Sequence, residues 1–532
     1  MWEKGWREEI WKKIDREWDI LVIGGGITGA GVFRRAVAAG LKVLLVEAND
    51  FASGTSSRSS KLVHGGFRYL KNKQWDVTHE SVQEREWMLR EAKDLVTPLG
   101  FLMPVFDDAH TASQFAIGVI IYDLMAPKWK HRRYSREGML VAIPQFRSEG
   151  LDGGFLYYDA EMDDARLVIH MLREAVCDGG AALNYAKAEK LLRGSDGRVC
   201  GAVLSDNSGD SEHQVEVKAK VVINATGPWS DTLRGQVGAL PRIRPLRGSH
   251  LIFKRERLPL PHAVTLLHPR DRRAMFAIPW EGTTIIGTTD LDHKVTPGAN
   301  EPYALADEID YILEAGNATL GGAALTRADI VSTFSGLRPI ISSGQGLDPS
   351  KESRAHVVWE EEGLITVTGG KLTTFRIMAE QALQLAAPHL SGSPDLTSRV
   401  RYFDPQPLFD VSKDISGQDL AYLSGRYGMD TPALLAAVKK EEMEHIGTLP
   451  NVWAEIRWAA RSGGISHLDD LLLRRVRLGM LLPQGAAPQL ERIRAIAQPE
   501  LGWDDRRWKR EEERYLKIYN AYYSPAPTGK EK

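Results

Sequence analysis

Asp19-Ile20-Leu21-Val22-Ile23-Gly24-Gly25-Gly26-Ile27-Thr28-Gly29-Ala30-Gly31 is the stretch on which the reading of the chain turns. Ile20–Ile23 is a short apolar, partly β-branched run and reads as a buried strand. A helix is expected from about Thr28 to Ala39, with Gly40 placed to end it. Val43–Val46 is a second strand closed by Glu47. Each glycine has a physical task. Gly24 permits the tight strand-to-helix turn, Gly26 leaves room for a pyrophosphate to approach the backbone, and Gly29 lets the helix pack close to the strand. The pyrophosphate would meet the N–H groups and dipole of the helix N-terminus at Ile27 and Thr28. Glu47 stands at the usual distance to accept from the adenosine ribose hydroxyls. Strand, glycines, helix, strand and acid in this order predict a dinucleotide-binding α/β unit.

Bulk properties narrow the classes. A chain of 532 residues exceeds one ordinary core and implies two or three domains. Its net charge of -2 gives no reason to expect a nucleic-acid partner. Cys177 and Cys200 are far apart and without CxxC spacing, which argues against a disulfide framework, a cysteine-ligated cluster or a Cys-type zinc site. The charged opening of the chain does not read as a signal peptide, and no run approaches the ~20 apolar residues needed to span a bilayer.

Outside the dinucleotide unit, several segments carry signals. Trp2, Trp6, Ile10 and Ile14 recur every four residues, with Trp11 nearby, on an expected N-terminal amphipathic helix. That stripe could dock on the protein itself or meet a membrane interface. Phe51–Leu70 is too rich in Ser and Gly for a packed helix, and its hydroxyls and N–H groups suit a phosphate or a flavin edge. Phe115–Met125 is expected to be a buried helix, followed by the basic Lys128–Arg133 cluster. Strand pieces are expected at Val199–Leu204, Val215–Val217 and Val221–Ile223, the last ending in Asn224-Ala225-Thr226-Gly227. Residues 242–340 read as a mainly antiparallel sheet, with a turn at Gly287–Asp290. Gly369-Gly370-Lys371 opens another helix whose N-terminus would face something anionic. Beyond Pro405 and Pro407 the chain reads helical to about Tyr523.

Thr55-Ser56-Ser57, His64-Gly65-Gly66-Phe67-Arg68-Tyr69, Asp163–Leu167, Asn224–Trp229, Gly248-Ser249-His250, Gly287–Asp290, Gly336-Leu337-Arg338-Pro339 and Gly369–Arg376 occur in that order. Together they resemble the motifs of FAD-dependent glycerol-3-phosphate dehydrogenases, of the D-amino-acid-oxidase-like flavoproteins. The resemblance implies a Rossmann-like FAD-binding domain, an antiparallel-sheet substrate domain and a C-terminal α-helical domain. The expected bounds are 18–90, 151–241 and 330–395 for the first, 91–150 and 242–329 for the second, and 400–523 for the third, after an extension at 1–17. It implies oxidation of glycerol 3-phosphate to dihydroxyacetone phosphate, with electrons passed to a membrane quinone or, in oxidase relatives, to oxygen. A cytoplasmic enzyme bound peripherally to the anionic inner face of the cytoplasmic membrane is expected, and a homodimer is left open.

Roles follow for matching residues. FAD contacts are expected from Gly24, Gly26, Ile27, Thr28, Gly29 and Glu47, and from Thr55, Ser56, Ser57, Ser59, Ser60, Lys61, Leu62, His64, Gly65 and Gly66. Ala225, Thr226, Gly227, Trp229, Thr289, Gly370, Lys371, Leu372 and Thr373 complete that set. Arg68, Tyr69, Arg338, Arg354 and Lys371 are the expected substrate ligands, because guanidinium donors grip phosphate in pairs. His250 is the expected general base, with His64 as its rival. Ala355 stands where the family often has Asp, which leaves the orientation of Arg354 open, and Phe375 stands where Tyr is common. Two other readings are an amine or amino-acid oxidase of the same superfamily and a non-catalytic nucleotide sensor. The cluster of Arg68, Arg338, Arg354 and Lys371 speaks against the former, and the substrate-side motifs against the latter.

Overall fold

A computed structural model describes residues 2–65, 75–106, 131–209, 213–294, 301–344, 352, 354–392, 394–396, 398, 400–405 and 415–527. The expected strand, helix and strand form, as Trp18–Ile23, Ile27–Ala38 and Val43–Val46, with both strands parallel. The first sheet runs His356–Glu361, Leu364–Gly369, Gln214–Asn224, Trp18–Ile23, Val43–Val46, Ala181–Leu183. Its central strands are parallel and buried on both faces, as their unbroken apolar sequences require. The Ile27–Ala38 helix lies on one face between the Asp164–Cys177 and Phe375–Ala386 helices. The side chain of Asp163 caps the former by accepting from Arg166 N–H.

The second sheet is mostly antiparallel. Ile243–Lys254 pairs with Ile330–Ile341 on one side and with Thr283–Gly287 on the other. Ala274–Trp280, Ala263–Leu267, Val96–Phe106 and Leu151–Met162 follow outward in that order. Helices between Gly417 and Tyr522 form the third unit, packed on Ile252, Trp280, Val331 and Phe334 of this sheet.

Four placements differ from the sequence reading. Gln214–Asn224 is one continuous strand rather than the separate pieces Val215–Val217 and Val221–Ile223. Its solvent-facing Lys and Glu alternate with buried Val and Ala, a half-buried strand that looks polar when scanned by run length. Leu151–Met162 and Ile330–Ile341, grouped by sequence with the dinucleotide unit, pair in the second sheet. An apolar run does not say which sheet a strand will join. A long helix, Ala306–Thr319, interrupts the expected β-rich segment. The N-terminal helix covers only Trp6–Trp11, and Trp2 is 2 % exposed, stacked on Phe51 with centroids 5.0 Å apart. Its stripe therefore docks on the protein itself. Phe115–Met125 and Lys128–Lys130 lie outside the described residues, as do Gly66, Arg68 and Tyr69.

Candidate active site

The dinucleotide turn has the shape its glycines allow. Gly24 has φ +117°, and a Cβ there would lie 2.5 Å from Ala225 O. At Gly29 a Cβ would lie 1.8 Å from Gly24 O, so the helix reaches its closest approach to the strand only without a side chain. Gly26 is the helix N-cap and offers no side-chain cap of its own; Ser56 Oγ accepts from Ile27 N–H instead, at 2.9 Å. Glu47 accepts from Gly25 N–H (2.7 Å) and Asn49 N–H (2.9 Å), which fixes its carboxylate at the mouth of the turn. Burial pushes its carboxyl above the usual range. Backbone donors at a helix N-terminus, a glycine-lined approach and an oriented carboxylate fit the diphosphate and ribose of a dinucleotide.

The serine-rich loop does two jobs. Ser59 donates from N–H and Oγ to Asp164 Oδ2, at 2.9 and 2.7 Å, and Ser60 Oγ lies 2.8 Å from His250 Nε2. Lys61, fully buried, donates to Ser57 O at 2.6 Å and to both oxygens of Asp164 at 2.9 Å. Burial lowers the Lys61 ammonium to about 8 despite that carboxylate. Arg477 of the helical unit closes on Asp163 and Asp164. The loop is thus held by a buried ion network that spans two parts of the fold, and Leu62–Val63 then joins the second sheet.

His250 sits in the Ile243–Lys254 strand, 1 % exposed, its ring stacked on Phe334 at 4.5 Å between centroids. Burial, then the charges of Arg338 and Lys61, hold it well below the ordinary histidine range, so the imidazole is neutral. Arg338 comes from the partner strand, where it faces Leu246 in register. It donates to Asp290 Oδ1 (3.1 Å), Thr289 O (3.2 Å) and Thr288 Oγ1 (3.1 Å). Arg354 donates to Asp290 Oδ2 at 2.9 Å. The anchor missing beside it at Ala355 is thus supplied across the sheet by Asp290. Arg273 also reaches Asp290 Oδ2, at 3.1 Å. Sequence reading missed Asp290 as a charge centre, and missed Arg273 altogether. The only available signal was register: Phe276 pairs with Gly287, and the same register carried outward sets Arg273 opposite Asp290. Glu308 was missed as well. It accepts from Ser249 Oγ, Thr289 Oγ1 and Arg247, and so braces the Gly-Ser-His strand against the Gly287–Asp290 turn.

Residues 19–382 match the family model described as FAD dependent oxidoreductase, and residues 368–508 match the C-terminal domain of alpha-glycerophosphate oxidase. The chain is 34% identical over 522 residues to glycerol-3-phosphate dehydrogenase 2 of Mycobacterium tuberculosis, covering 93% of this chain and 87% of that protein. It belongs to the FAD-dependent glycerol-3-phosphate dehydrogenase family. Aerobic glycerol-3-phosphate dehydrogenase of Staphylococcus aureus is 34% identical over 499 residues, covering 88% of each. The glycerol-3-phosphate dehydrogenase of Bacillus halodurans, solved in complex with FAD, superposes with a TM-score of 0.75 at 29% identity over 99% of both chains. At 18% identity and a TM-score of 0.58, the L-alpha-glycerophosphate oxidase of Mycoplasma pneumoniae shares the fold over 74% of this chain and all of its own.

The remaining dehydrogenase-family motif residues fall in two groups. Ala225 N–H donates to Ile23 O beside the dinucleotide turn, Thr226 Oγ1 donates to Asn224, and Trp229, 39 % exposed, lies against Gly54. Thr55 Oγ1 donates to Leu337 O, next to Arg338. Gly65 N–H donates to Asp159, just past His64. On the far side, Gly369 and Gly370 take positive φ, and a Cβ on Gly370 would meet His356 and Met378 below 3 Å. Lys371 Nζ donates to Ser81, and Leu372–Thr374 form a 3-10 turn with Thr373 buried. Phe375 packs on Gly31 of the Ile27–Ala38 helix and between Trp87 and Tyr402, in an apolar setting that has no use for a hydroxyl.

Proposed function

We propose that the protein oxidises glycerol 3-phosphate at its secondary alcohol to dihydroxyacetone phosphate and delivers the electrons to a quinone. One observation carries the reading beyond family membership. Arg338 and Arg354 are drawn onto one carboxylate at the end of the strand pair that holds a neutral, buried His250. Cations for a phosphate and an acceptor for an alcohol proton are what this substrate requires. When bound, FAD supplies the two-electron acceptor at its N5.

The chain's own groups have separable tasks. Gly24, Gly26 and Gly29 with the N–H group at Thr28 would hold the pyrophosphate, the Ile27 N–H being engaged by Ser56, and Glu47 the ribose hydroxyls. The Gly370–Thr373 turn would meet the cofactor from the opposite side with a second set of backbone donors. Arg338 and Arg354 would grip the substrate phosphate by charge-assisted hydrogen bonds. His250 would take the C2 hydroxyl proton. In the tautomer that donates Nε2–H to Ser60, its Nδ1 keeps the lone pair, and among the described residues that nitrogen is buried without a partner. Phe334 and the enclosing sheet keep water from the ring.

Anaerobic dye reduction tests the reading with glycerol 3-phosphate against a panel of amines and amino acids. The expected result is turnover of the phosphate ester alone. Turnover of an amine or amino acid, with none of glycerol 3-phosphate, would overturn it.

The 34%-identical relatives are named dehydrogenases rather than oxidases, which favours an acceptor other than oxygen. Outward-facing Arg132, Arg133 and Val141 support contact with the anionic inner face of the cytoplasmic membrane. Flotation with anionic liposomes at low salt should recover the enzyme. No flotation, together with fast oxygen consumption, would instead favour a soluble oxidase.

A further inference from the structure

We propose that Arg273 is a third ligand of the substrate phosphate, held ready by Asp290 as a positioning residue. The inference rests on the reading that the substrate is a phosphate ester, and it adds a residue that no motif marked. Three arginines from three separate places in the sequence meet at one carboxylate. Arg338 takes Asp290 Oδ1, while Arg273 and Arg354 share Oδ2 at 3.1 and 2.9 Å. Asp290 is buried, whereas Arg273 and Arg338 keep part of their side chains accessible. The carboxylate thus forms the floor of the cluster and the guanidiniums its open side.

The chemistry of that arrangement points to a dianion. Guanidiniums gathered within hydrogen-bond distance of one carboxyl group repel one another. A phosphate monoester carries close to two negative charges near neutral pH and presents three oxygens, which suits several planar donor forks at once. Arg273 also has capacity to give. Its Nε is buried and, among the described residues, has no hydrogen-bond partner. A buried unsatisfied donor is costly unless something occupies it, and a bound oxyanion is a natural occupant.

The placement is built into the sheet. Arg273 immediately precedes the Ala274–Trp280 strand, and Asp290 follows the Thr283–Gly287 strand that pairs with it. Asp271 accepts from Arg273 N–H at 3.0 Å and fixes the backbone where the side chain departs. Arg338 and Arg354 enter from the other side. The phosphate would be enclosed from both flanks of the Gly287–Asp290 turn.

Arg273→Gln tests this in the flavin-loaded enzyme. The expected result is a rise in KM for glycerol 3-phosphate of about tenfold or more, with a smaller change in kcat. The inhibition constant of inorganic phosphate should rise in parallel, and Arg273→Lys should recover part of both losses. An unchanged KM and phosphate inhibition constant, or a loss confined to kcat, would overturn the proposal. Should Arg273→Gln fail to fold, phenylglyoxal labelling of the parent holoenzyme decides. Inorganic phosphate should protect Arg273 from modification, and equal modification with and without phosphate counts against it. That labelling needs no turnover, so it stays readable even if glycerol 3-phosphate proves not to be oxidised.

Discussion

Replacing Arg338 with Lys keeps a positive charge but loses the paired planar donors of the guanidinium. A charge-assisted hydrogen bond is worth roughly 1.5–3 kcal/mol, so kcat/KM for glycerol 3-phosphate should fall about ten- to a hundredfold. The loss should be steeper than for unphosphorylated glycerol, and equal losses would place Arg338 at the reacting alcohol instead. Arg338→Gln carries a second expectation. Burial does most to keep His250 neutral, and the Arg338 charge adds to it. Without that cation the imidazole climbs back towards its ordinary value. The acidic limb of kcat/KM should therefore move to higher pH, which a pH–rate profile with glycerol 3-phosphate reads directly. Arg338 and His250 could be nominated from sequence because each sits in a distinctive short motif, and Arg354 through the family resemblance, despite the departure at Ala355. Arg273 and Glu308 could not, since a single Arg before a strand or a Glu on a helix looks like any solvated charge. Only strand register and burial bring them to the site.

At the level of elements, the turn between the Trp18–Ile23 strand and the Ile27–Ala38 helix allows two glycine replacements to be told apart. A methyl at Gly29 would collide with backbone, 1.8 Å from Gly24 O, whereas at Gly26 it would meet only Ser56 Oγ at 3.1 Å. Gly29→Ala should therefore cost stability as well as cofactor, on the order of 1–3 kcal/mol for forced overpacking. Gly26→Ala should leave the melting temperature of the flavin-free protein nearly unchanged while weakening FAD retention. Thermal melts of apo protein beside the FAD content of purified holoprotein check both. A Gly29→Ala protein that kept its flavin and its stability would remove the close packing from the account. This unit was legible because local chemistry and topology coincide in one continuous stretch. The second sheet was legible only as a sheet. Its strands come from residues as distant as Leu62 and Ile341, and nothing local specifies such pairings. The Ala306–Thr319 helix was missed since its apolar face was absorbed into a β-rich reading of the surrounding segment.

Across the whole molecule, the helical unit is tied to the dinucleotide unit by buried charge. Asp50, a few residues past Glu47, accepts from Arg474 and from both Nη atoms of Arg475. Although burial opposes ionisation, the two guanidiniums hold its carboxyl down at about 2. The folded value lies below the unfolded one. Its stabilisation is therefore present above about pH 4 and is lost as the pH falls towards 2. Asp50→Asn would take the carboxylate from buried Arg475 and leave Arg474 to Asp469 and Asp470, and should cost about 3–5 kcal/mol at neutral pH. Calorimetry should show the deficit shrinking as the pH drops through that window, and a pH-independent deficit would assign the loss to packing. Asn184 adds a neutral tie, donating to both Asp50 and Gly464 O, while Trp2 fills the space between Phe51 and Gly464. This junction bears on how the enzyme can be recombined. A chimera that exchanges the helical unit from Gly417 onward between relatives would inherit arginines cut to fit one particular aspartate and a Gly464 turn packed on one particular N-terminal tryptophan. Crossovers placed in the stretch before Gly417 should succeed only between parents that share Trp2, Asp50, Asn184, Arg474 and Arg475. The unit that looks most detachable by its helical composition is therefore the one least free to be exchanged.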